Sequence, residues 1–158
     1  MSRKKIITAV LGLPVRKTNS QLEFFLTKRY APQSPSIHNR WQLAGGSVDF
    51  GETPEETVIR EFQEELDIIP TLLYPFPIVK TNTYHKGNNN TRNPVHLILL
   101  AYVLSIGNQV PHIIDPDEET NDMGWFNYEQ ILQLESLPKT VEYVDTTITL
   151  IKNDKIVV

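Results

Sequence analysis

Strand-like apolar runs outnumber helix-like segments along this chain. The runs are rich in β-branched, aliphatic and aromatic residues, a composition that predicts strands. Three segments predict helices instead, so the sequence predicts an α/β (α+β) protein in which strands predominate. The predicted strands cover residues 6–15, 22–29, 41–43, 95–104 and 123–126, with one long or two short strands in 71–85, and the predicted helices cover 54–66, 128–134 and 138–151.

Polar segments separate these elements. A polar turn at 16–21 would make the first two strands a hairpin, and Gly45-Gly46 is expected to form a turn after the third strand. Residues 31–40 and 86–93 are predicted loops. The acidic loop 107–122 is unusually long, which suggests a function.

The segment 54–66 carries a strong helix-start signal. Thr53 can serve as the N-cap, Pro54 takes the first helical position, and Glu56 falls where a capping box places its carboxylate. Ile59, Phe62 and Leu66 then form an apolar stripe that must face a core.

Three carboxylates follow within this predicted helix. Glu61, Glu64 and Glu65 share a face about 100° wide, beside the apolar stripe. Three like charges so close repel one another, and a divalent cation between them would remove the repulsion. Hard oxygen ligands suit Mg²⁺ or Mn²⁺. The alternative is that the glutamates form a solvated helix face, as most isolated clusters of this kind do.

The spacing of residues 46–68 weighs against that alternative, because it resembles the Nudix box, G-x5-E-x7-R-E-U-x-E-E-x-G-U with U an apolar residue. One position departs: Asp67 stands where the family has glycine. That glycine usually ends the helix in a left-handed conformation, which Asp also visits at some cost. Ala44 likewise replaces a proline that many relatives carry. The matching residues are Gly46, Glu52, Arg60, Glu61, Phe62, Glu64, Glu65 and Ile68.

The resemblance implies a fold and an activity. The fold would be a mixed β-sheet sandwiched between helices, with the box as a loop-helix-loop, in a single domain over 1–158 whose core is 5–150. The activity would be Mg²⁺-dependent hydrolysis of a nucleoside diphosphate linked to another group. A nucleoside triphosphate, oxidised forms included, would be cleaved to monophosphate and pyrophosphate. Two alternatives stay open: a hydrolase of dinucleoside polyphosphates or nucleotide sugars, and a catalytically silent nucleotide-binding domain.

The resemblance also assigns roles to the box residues. Glu61, Glu64, Glu65 and the Gly45 carbonyl would hold the metal, and Glu64 would double as the general base. Arg60 would pair bidentately with Glu52 and pin the loop to the helix. The residues placed in the catalytic machinery are thus Arg60, Glu61, Glu64 and a loop acid, with Gly46 and Glu52 as structural support.

The loop acid is expected to be Glu119, with Glu118 and Asp122 as rivals. Arg29 and Tyr84 are candidate substrate contacts; Arg29 would reach a phosphate.

Composition narrows the possible partners. The chain has 158 residues, enough for one good core, and a net charge of −4, which argues against general nucleic-acid binding. Having no cysteine, it has no disulfides and no thiol chemistry. The expected partner is a small nucleotide, and small domains of this type are often homodimers.

The N-terminus resembles a signal peptide only superficially. Basic residues at 3–5 precede the apolar run 6–15, but no small-residue cleavage site follows, and the run is too short to span a membrane. We therefore expect a buried first strand, no membrane association and a cytoplasmic protein.

Overall fold

A computed structural model of the chain describes residues 4–85, 94–115 and 117–158. The predicted loop 86–93 lies outside these residues. Within them no helix is long and apolar enough to cross a membrane. In chain order the described elements are β1 (Lys5–Thr18), β2 (Gln21–Arg29), β3 (Trp41–Gln42), β4 (Ala44–Ser47), α1 (Pro54–Leu66), β5 (Thr71–Leu72), β6 (Ile78–Tyr84), β7 (Val95–Ser105), β8 (Thr120–Asn127), α2 (Tyr128–Gln133) and α3 (Thr140–Lys152).

Strand β1 is the centre of the sheet. Its first part pairs in parallel with β7 and antiparallel with β4, and its last four residues pair antiparallel with β2. Strand β7 also pairs with β5 and β6, and β2 with β3 and β8, all antiparallel. The predicted mixed sheet is therefore confirmed.

The sheet is covered by helices on both faces. In β2 the side chains alternate, so Phe24 and Leu26 join the core beneath α2 and α3, whereas Phe25 joins the core beneath α1. Each of these three side chains is at most 2% exposed. The predicted sandwich of a mixed sheet between helices is therefore confirmed.

The predicted turn at 16–21 is wrong in extent. Only Asn19 and Ser20 form the turn, with φ of 49° and 66°, while the flanking residues extend β1 and β2. A two-residue turn with two positive φ values matches the twist of paired strands, so the ladder continues to its ends. Arg16 and Glu23 lie opposite each other there and form an ion pair of 2.7 Å.

The predicted turn at Gly45-Gly46 is also wrong, because both glycines belong to β4 and pair with β1. At φ +149° Gly45 lies where side chains are strained, and a Cβ there would collide with the backbone of Val10 and Leu11. The glycines therefore serve close strand pairing rather than a reversal.

The predicted start of the box helix is confirmed. Thr53 and Glu56 form a reciprocal capping box with distances of 2.9 and 3.2 Å. The helix ends at Asp67, whose φ of 56° and ψ of 37° are left-handed, as expected of a residue standing in for glycine. Helix α3 forms despite its β-branched residues, and the hydroxyls of Thr146, Thr147 and Thr149 donate to carbonyls four residues earlier.

Candidate active site

Helix α1 is fixed against the sheet by Val58, Phe62 and Leu66, all 0% exposed. Ile59, predicted to lie in this stripe, is half-buried and packs against the same core, beside the fully buried row at i, i+4 and i+8 from Val58. Gly12 in β1 leaves the space that the Phe62 ring occupies. The packing of these side chains against the sheet thus sets the rotation of α1 about its axis and places Glu61 beside Gly46 of β4.

A second contact holds the first turn of α1. The Tyr102 hydroxyl on β7 donates to Glu55 Oε1 at 2.8 Å, and Tyr102 itself is 2% exposed. Burial and the Glu55 carboxylate raise the pKa of Tyr102 to about 12, so the hydroxyl remains a donor at neutral pH.

Arg60 is the hub of the box. Its Nε and Nη2 donate to the two oxygens of Glu52 at 2.6 and 3.0 Å, the expected bidentate pair. Its Nη1 donates to Glu61 Oε1 at 2.9 Å and to Glu64 Oε2 at 3.3 Å, and Nη2 reaches the Ser47 carbonyl at 3.3 Å. One guanidinium therefore joins the end of β4, the loop and two of the helix carboxylates.

Glu52 is held in its charged form by this pairing. The Arg60 hydrogen bonds, with further donors from Thr57 Oγ1 at 2.7 Å and the Asp49 amide at 3.2 Å, lower the pKa of Glu52 to about 2. The carboxylates of Glu52 and Glu61 in turn raise the pKa of Arg60 above its ordinary value. The pair is therefore ionic over the whole physiological range.

Glu61 lies in a recess that Gly46 creates. A Cβ at position 46 would lie 2.5 Å from Glu61 Cδ and 2.7 Å from Oε2, so only glycine leaves room for the carboxylate as it stands. Burial raises the pKa of Glu61, and the hydrogen bond from Arg60 opposes that shift. Glu61 is thus a confined acid beside one counter-ion.

Glu65 is the most perturbed acid of the site. Burial, followed by the charges of Glu61, Asp115 and Glu119, raises its pKa to about 8, and Arg29 acts in the opposite direction. Within the described part of the chain its carboxylate receives no hydrogen bond. An excess of negative charge therefore accumulates around Glu65.

Glu64 is placed differently from its two neighbours. Its side chain is 53% exposed and is drawn to Arg60, whereas Glu61 and Glu65 line a cavity. The shared helix face is thus present, but the three carboxylates do not converge.

The acidic loop brings further charges to the same place. The His112 and Ile114 amides donate to the carbonyls of Leu66 and Glu65, both at 2.9 Å, so the loop covers the open C-terminal end of α1. The loop then turns around Asp115.

Asp115 shapes the turn that leads into β8. It is 9% exposed, and its carboxylate accepts from the Asp117 amide at 3.0 Å and the Glu119 amide at 2.8 Å. Glu119 Oε2 then pairs with Arg29 Nη1 at 2.7 Å. The turn thereby sets the loop acid opposite α1.

The three candidate loop acids occupy different positions. Glu119 lines the cavity, and Glu118 is exposed at φ 54° and does not line it. Asp122 does not belong to the loop, which corrects the predicted loop end. It lies in β8 opposite Lys28, and its carboxylate accepts from the Met123 amide at 2.9 Å. The strand begins early because Thr120 already pairs with Arg29.

Glu61 and Glu65 of α1 and Glu119 of the acidic loop line the same cavity, which has a volume of about 490 Å³. On the α1 side it is lined by Glu61, Glu65, Arg29 and Glu119, together with Gly45 and Gly46. Its other wall consists mainly of apolar side chains of β1, β7 and the region around α3, with a few polar groups. That wall includes Leu11, Leu97, Leu99, Pro138, Tyr143, Asn82 and Tyr84.

Tyr84 therefore lies where the sequence places a substrate contact. Phe24 and Phe25 are core residues. Asp115 and Tyr143 were missed. An Asp-Pro dipeptide in the acidic loop is a turn signal that could have marked Asp115. Tyr143 falls on the apolar stripe of α3 and reads as an ordinary core residue.

The donor set fits a hard divalent cation. Burial and mutual repulsion disfavour the charged forms of Glu61 and Glu65, and a cation at the cavity would relieve both effects. Across residues 4–85, 94–115 and 117–158, however, no three acidic or histidine side chains already stand together as a metal cluster. A third carboxylate ligand would have to come from a side chain such as Glu64 leaving Arg60.

Comparisons with known proteins indicate one family. The family model described as NUDIX domain matches residues 6–146. A curated relative, the 8-oxo-dGTP diphosphatase of Escherichia coli, is 39% identical over 66 residues, which cover 37% of this chain and 50% of that protein. The NAD-capped RNA hydrolase NudC of Pectobacterium carotovorum is 33% identical over 104 residues, 61% of this chain and 32% of that protein. The chain thus spans half or less of these relatives.

Solved structures are similar over more of the chain. A MutT NUDIX hydrolase from Burkholderia pseudomallei superposes with a TM-score of 0.66 at 26% identity, covering 89% of this chain and 98% of that one. A C. elegans Ap4A hydrolase gives a TM-score of 0.67 at 18% identity, covering 93% and 98%. With the family model spanning nearly the whole fold, this protein belongs to the Nudix family.

Proposed function

We propose that this chain is a Mg²⁺-dependent pyrophosphohydrolase that cleaves nucleoside triphosphates, including oxidised ones, to monophosphate and pyrophosphate. The observation that carries the proposal is the two-sided cavity. Its acidic side contains Glu61, Glu65 and Arg29, its other side is mainly apolar, and the whole cavity of about 490 Å³ has a size typical of small-molecule sites. The similarity to an 8-oxo-dGTP diphosphatase supports the same substrate class.

The residues of the acidic side divide the work. Glu61, Glu65 and the Gly45 carbonyl would hold the metal, with Glu64 joining them after release from Arg60. The cation, Mg²⁺ or Mn²⁺, would neutralise phosphate oxygens and lower the pKa of a bound water. Glu64 would take the proton from the attacking water.

The remaining groups orient substrate and ligands. Arg29 would bind a phosphate oxygen, and Glu119, paired with it at 2.7 Å, would act as the loop acid beside the substrate. Arg60 and Glu52 would hold the loop and helix in register, because a small displacement of the ligands costs much of the rate. A cytoplasmic location and a homodimer stay predictions.

A second substrate class has one observation in its favour. Tyr84 is half-buried and lines the cavity, where it could stack against a second base of a dinucleoside polyphosphate. Nucleotide sugars remain a further alternative, and a silent nucleotide-binding domain is disfavoured because all three box acids are kept.

The test combines a substrate panel with paired variants. Nucleoside triphosphates, oxidised triphosphates, ADP-ribose, nucleotide sugars and dinucleoside polyphosphates are incubated with Mg²⁺, and products are resolved by chromatography. Glu64→Gln and Glu65→Gln should each lower turnover by orders of magnitude while leaving the fold intact. Glu129→Gln, an exposed glutamate of α2 outside the cavity, is the matched control.

The outcomes separate the candidate functions. Preferred release of pyrophosphate from a triphosphate supports the proposal, and preferred cleavage of a dinucleoside polyphosphate supports the alternative. Nucleotide-dependent stabilisation with no turnover on any compound would identify a binding domain. Unchanged turnover in both glutamate variants would reject the site assignment.

A further inference from the structure

Three buried polar side-chain atoms have no hydrogen-bond partner within the described residues: Thr27 Oγ1, Arg29 Nε and Tyr143 Oη. Leaving a buried donor or acceptor unpaired costs free energy, so each such atom in a folded protein requires an explanation. A ligand that supplies the missing partner is one explanation, and it applies only where the side chain borders a space that a ligand can enter.

Two of the three side chains meet that condition. Arg29 and Tyr143 line the same cavity, whereas Thr27 does not. Thr27 is 0% exposed and is enclosed by protein. The side chains of Arg29 and Tyr143 therefore border the space in which the proposed substrate would bind, and that of Thr27 does not.

The two cavity residues belong to opposite sides of the sheet. Arg29 acts electrostatically on Glu65 of α1 and pairs through Nη1 with Glu119, so its guanidinium belongs to the charged side. Tyr143 belongs to the core beneath α3, where Leu11 and Leu99 pack beside it. The two unpaired groups thus suit two chemically different parts of one ligand, an anionic part and a largely apolar part.

We propose that Tyr143 is a specificity-determining residue whose hydroxyl hydrogen-bonds to a polar atom on the nucleoside part of the substrate. This inference rests on the proposed function, since it takes a nucleotide as the ligand. The apolar side chains around Tyr143 would contact the flat faces of the base. The hydroxyl would then select among bases by the polar atom each one presents.

Two isosteric hydroxyl deletions provide a matched test. Tyr143→Phe removes the unpaired hydroxyl of a residue that lines the cavity, and Thr27→Val removes that of a residue that does not. Each variant and the wild type are titrated by calorimetry, with Mg²⁺ present, with the α,β-methylene analogues of GTP, ATP, UTP and CTP, whose α–β linkage cannot be hydrolysed, so that no nucleotide is consumed. Inorganic triphosphate, which has the phosphates but no nucleoside, is the second probe.

The expected result is selective. Tyr143→Phe should bind the nucleotide that the wild type prefers about three- to tenfold more weakly, the effect of one neutral hydrogen bond. Its affinity for inorganic triphosphate should be unchanged. Thr27→Val should bind both probes like the wild type. Without ligand both variants should unfold at or above the wild-type temperature, because neither deletion breaks a bond.

Several outcomes would overturn the inference. Wild-type nucleotide affinity in Tyr143→Phe would show that the hydroxyl does not contact the ligand. An equal loss for inorganic triphosphate, or a lowered unfolding temperature, would show that the hydroxyl acts through the fold. Absence of nucleotide binding by the wild type would also overturn the inference.

The proposed function is judged separately, by Mg²⁺-dependent product release. Tyrosine-dependent nucleotide binding without turnover would leave the inference standing and reject the enzyme. Turnover with no effect of Tyr143→Phe on binding would do the reverse.

Discussion

The substitution Gly46→Ala tests whether the position of one carboxylate limits the reaction. Gly46 lies in β4, outside the left-handed region, so alanine is compatible with its backbone. The added methyl group would meet the carboxylate of Glu61, which is the flexible end of a side chain. The fold should therefore survive the change while the acid moves.

The structure sets the size of that movement. The new Cβ would lie 2.5 Å from Glu61 Cδ, whereas favourable carbon–carbon contacts begin at about 3.5 Å, so the carboxylate must retreat by about 1 Å. Misplacement of a reacting group by that amount can cost about 100-fold in rate. The expected loss in kcat/KM is thus about 100-fold, or about 2.7 kcal/mol of transition-state stabilisation.

Pyrophosphate release with saturating Mg²⁺ measures the loss, and thermal unfolding checks the fold. The same substitution is then made in a Glu61→Ala background, where no carboxylate remains to be displaced. There Gly46→Ala should add almost nothing, because the two changes act through one group. A rate within threefold of wild type in the single variant, or a full additional loss in the double variant, would refute the reasoning.

Three further predictions follow from the charges of the site. The pKa of Glu65 is raised to about 8 in the fold, so the metal-free protein should lose stability as pH rises from about 4.5 to 8. Glu65→Gln lacks this ionisation. It should unfold at a higher temperature than wild type, by an amount that grows over the same pH range. The pKa of Glu52 is lowered to about 2, so its charged form contributes stability that is present above pH 4.5 and is lost as pH falls through 2. Glu52→Gln should therefore lower the unfolding temperature at pH 7 and have little effect near pH 2. Asp115→Ala removes the acceptor for the Glu119 amide and should reduce turnover about tenfold through misplacement of Glu119.

Each of these has a contrary result. A constant difference between Glu65→Gln and wild type across pH 5–9 would show that the Glu65 carboxyl is not confined. An equal effect of Glu52→Gln at both pH values would mean that the Arg60 pair does not stabilise the fold. Full activity in Asp115→Ala, measured beside the exposed Glu129→Ala as a control outside the cavity, would show that this turn does not affect catalysis.

Helix α1 was predictable because its determinants are local. Thr53 and Glu56 cap α1, and the apolar stripe belongs to the same helix. Capping and hydrophobic periodicity both depend on residues a few positions apart in sequence. The same holds for the Glu52–Arg60 pair, whose partners are eight positions apart. Where a strand partner decided the outcome, as for Gly45 in β4, the sequence alone gave the wrong element.

Contacts between residues distant in sequence could not be predicted from the pattern of hydrophobic and polar positions. Nothing local distinguishes Glu119 from Glu118, and only the turn around Asp115 and the pairing of β8 with β2 put Glu119 beside Arg29. Tyr143 is likewise an ordinary core residue until α3 packs on the sheet and brings it to the wall of the cavity.

The sequence by itself therefore determined the family, the caps of α1 and the acids that this helix carries, since these depend on spacing along one segment. The tertiary structure decided which acids face the cavity, how far their pKa values move and what else lines the wall. Burial and through-space charge are properties of residues brought together from distant parts of the chain, and no local pattern encodes them.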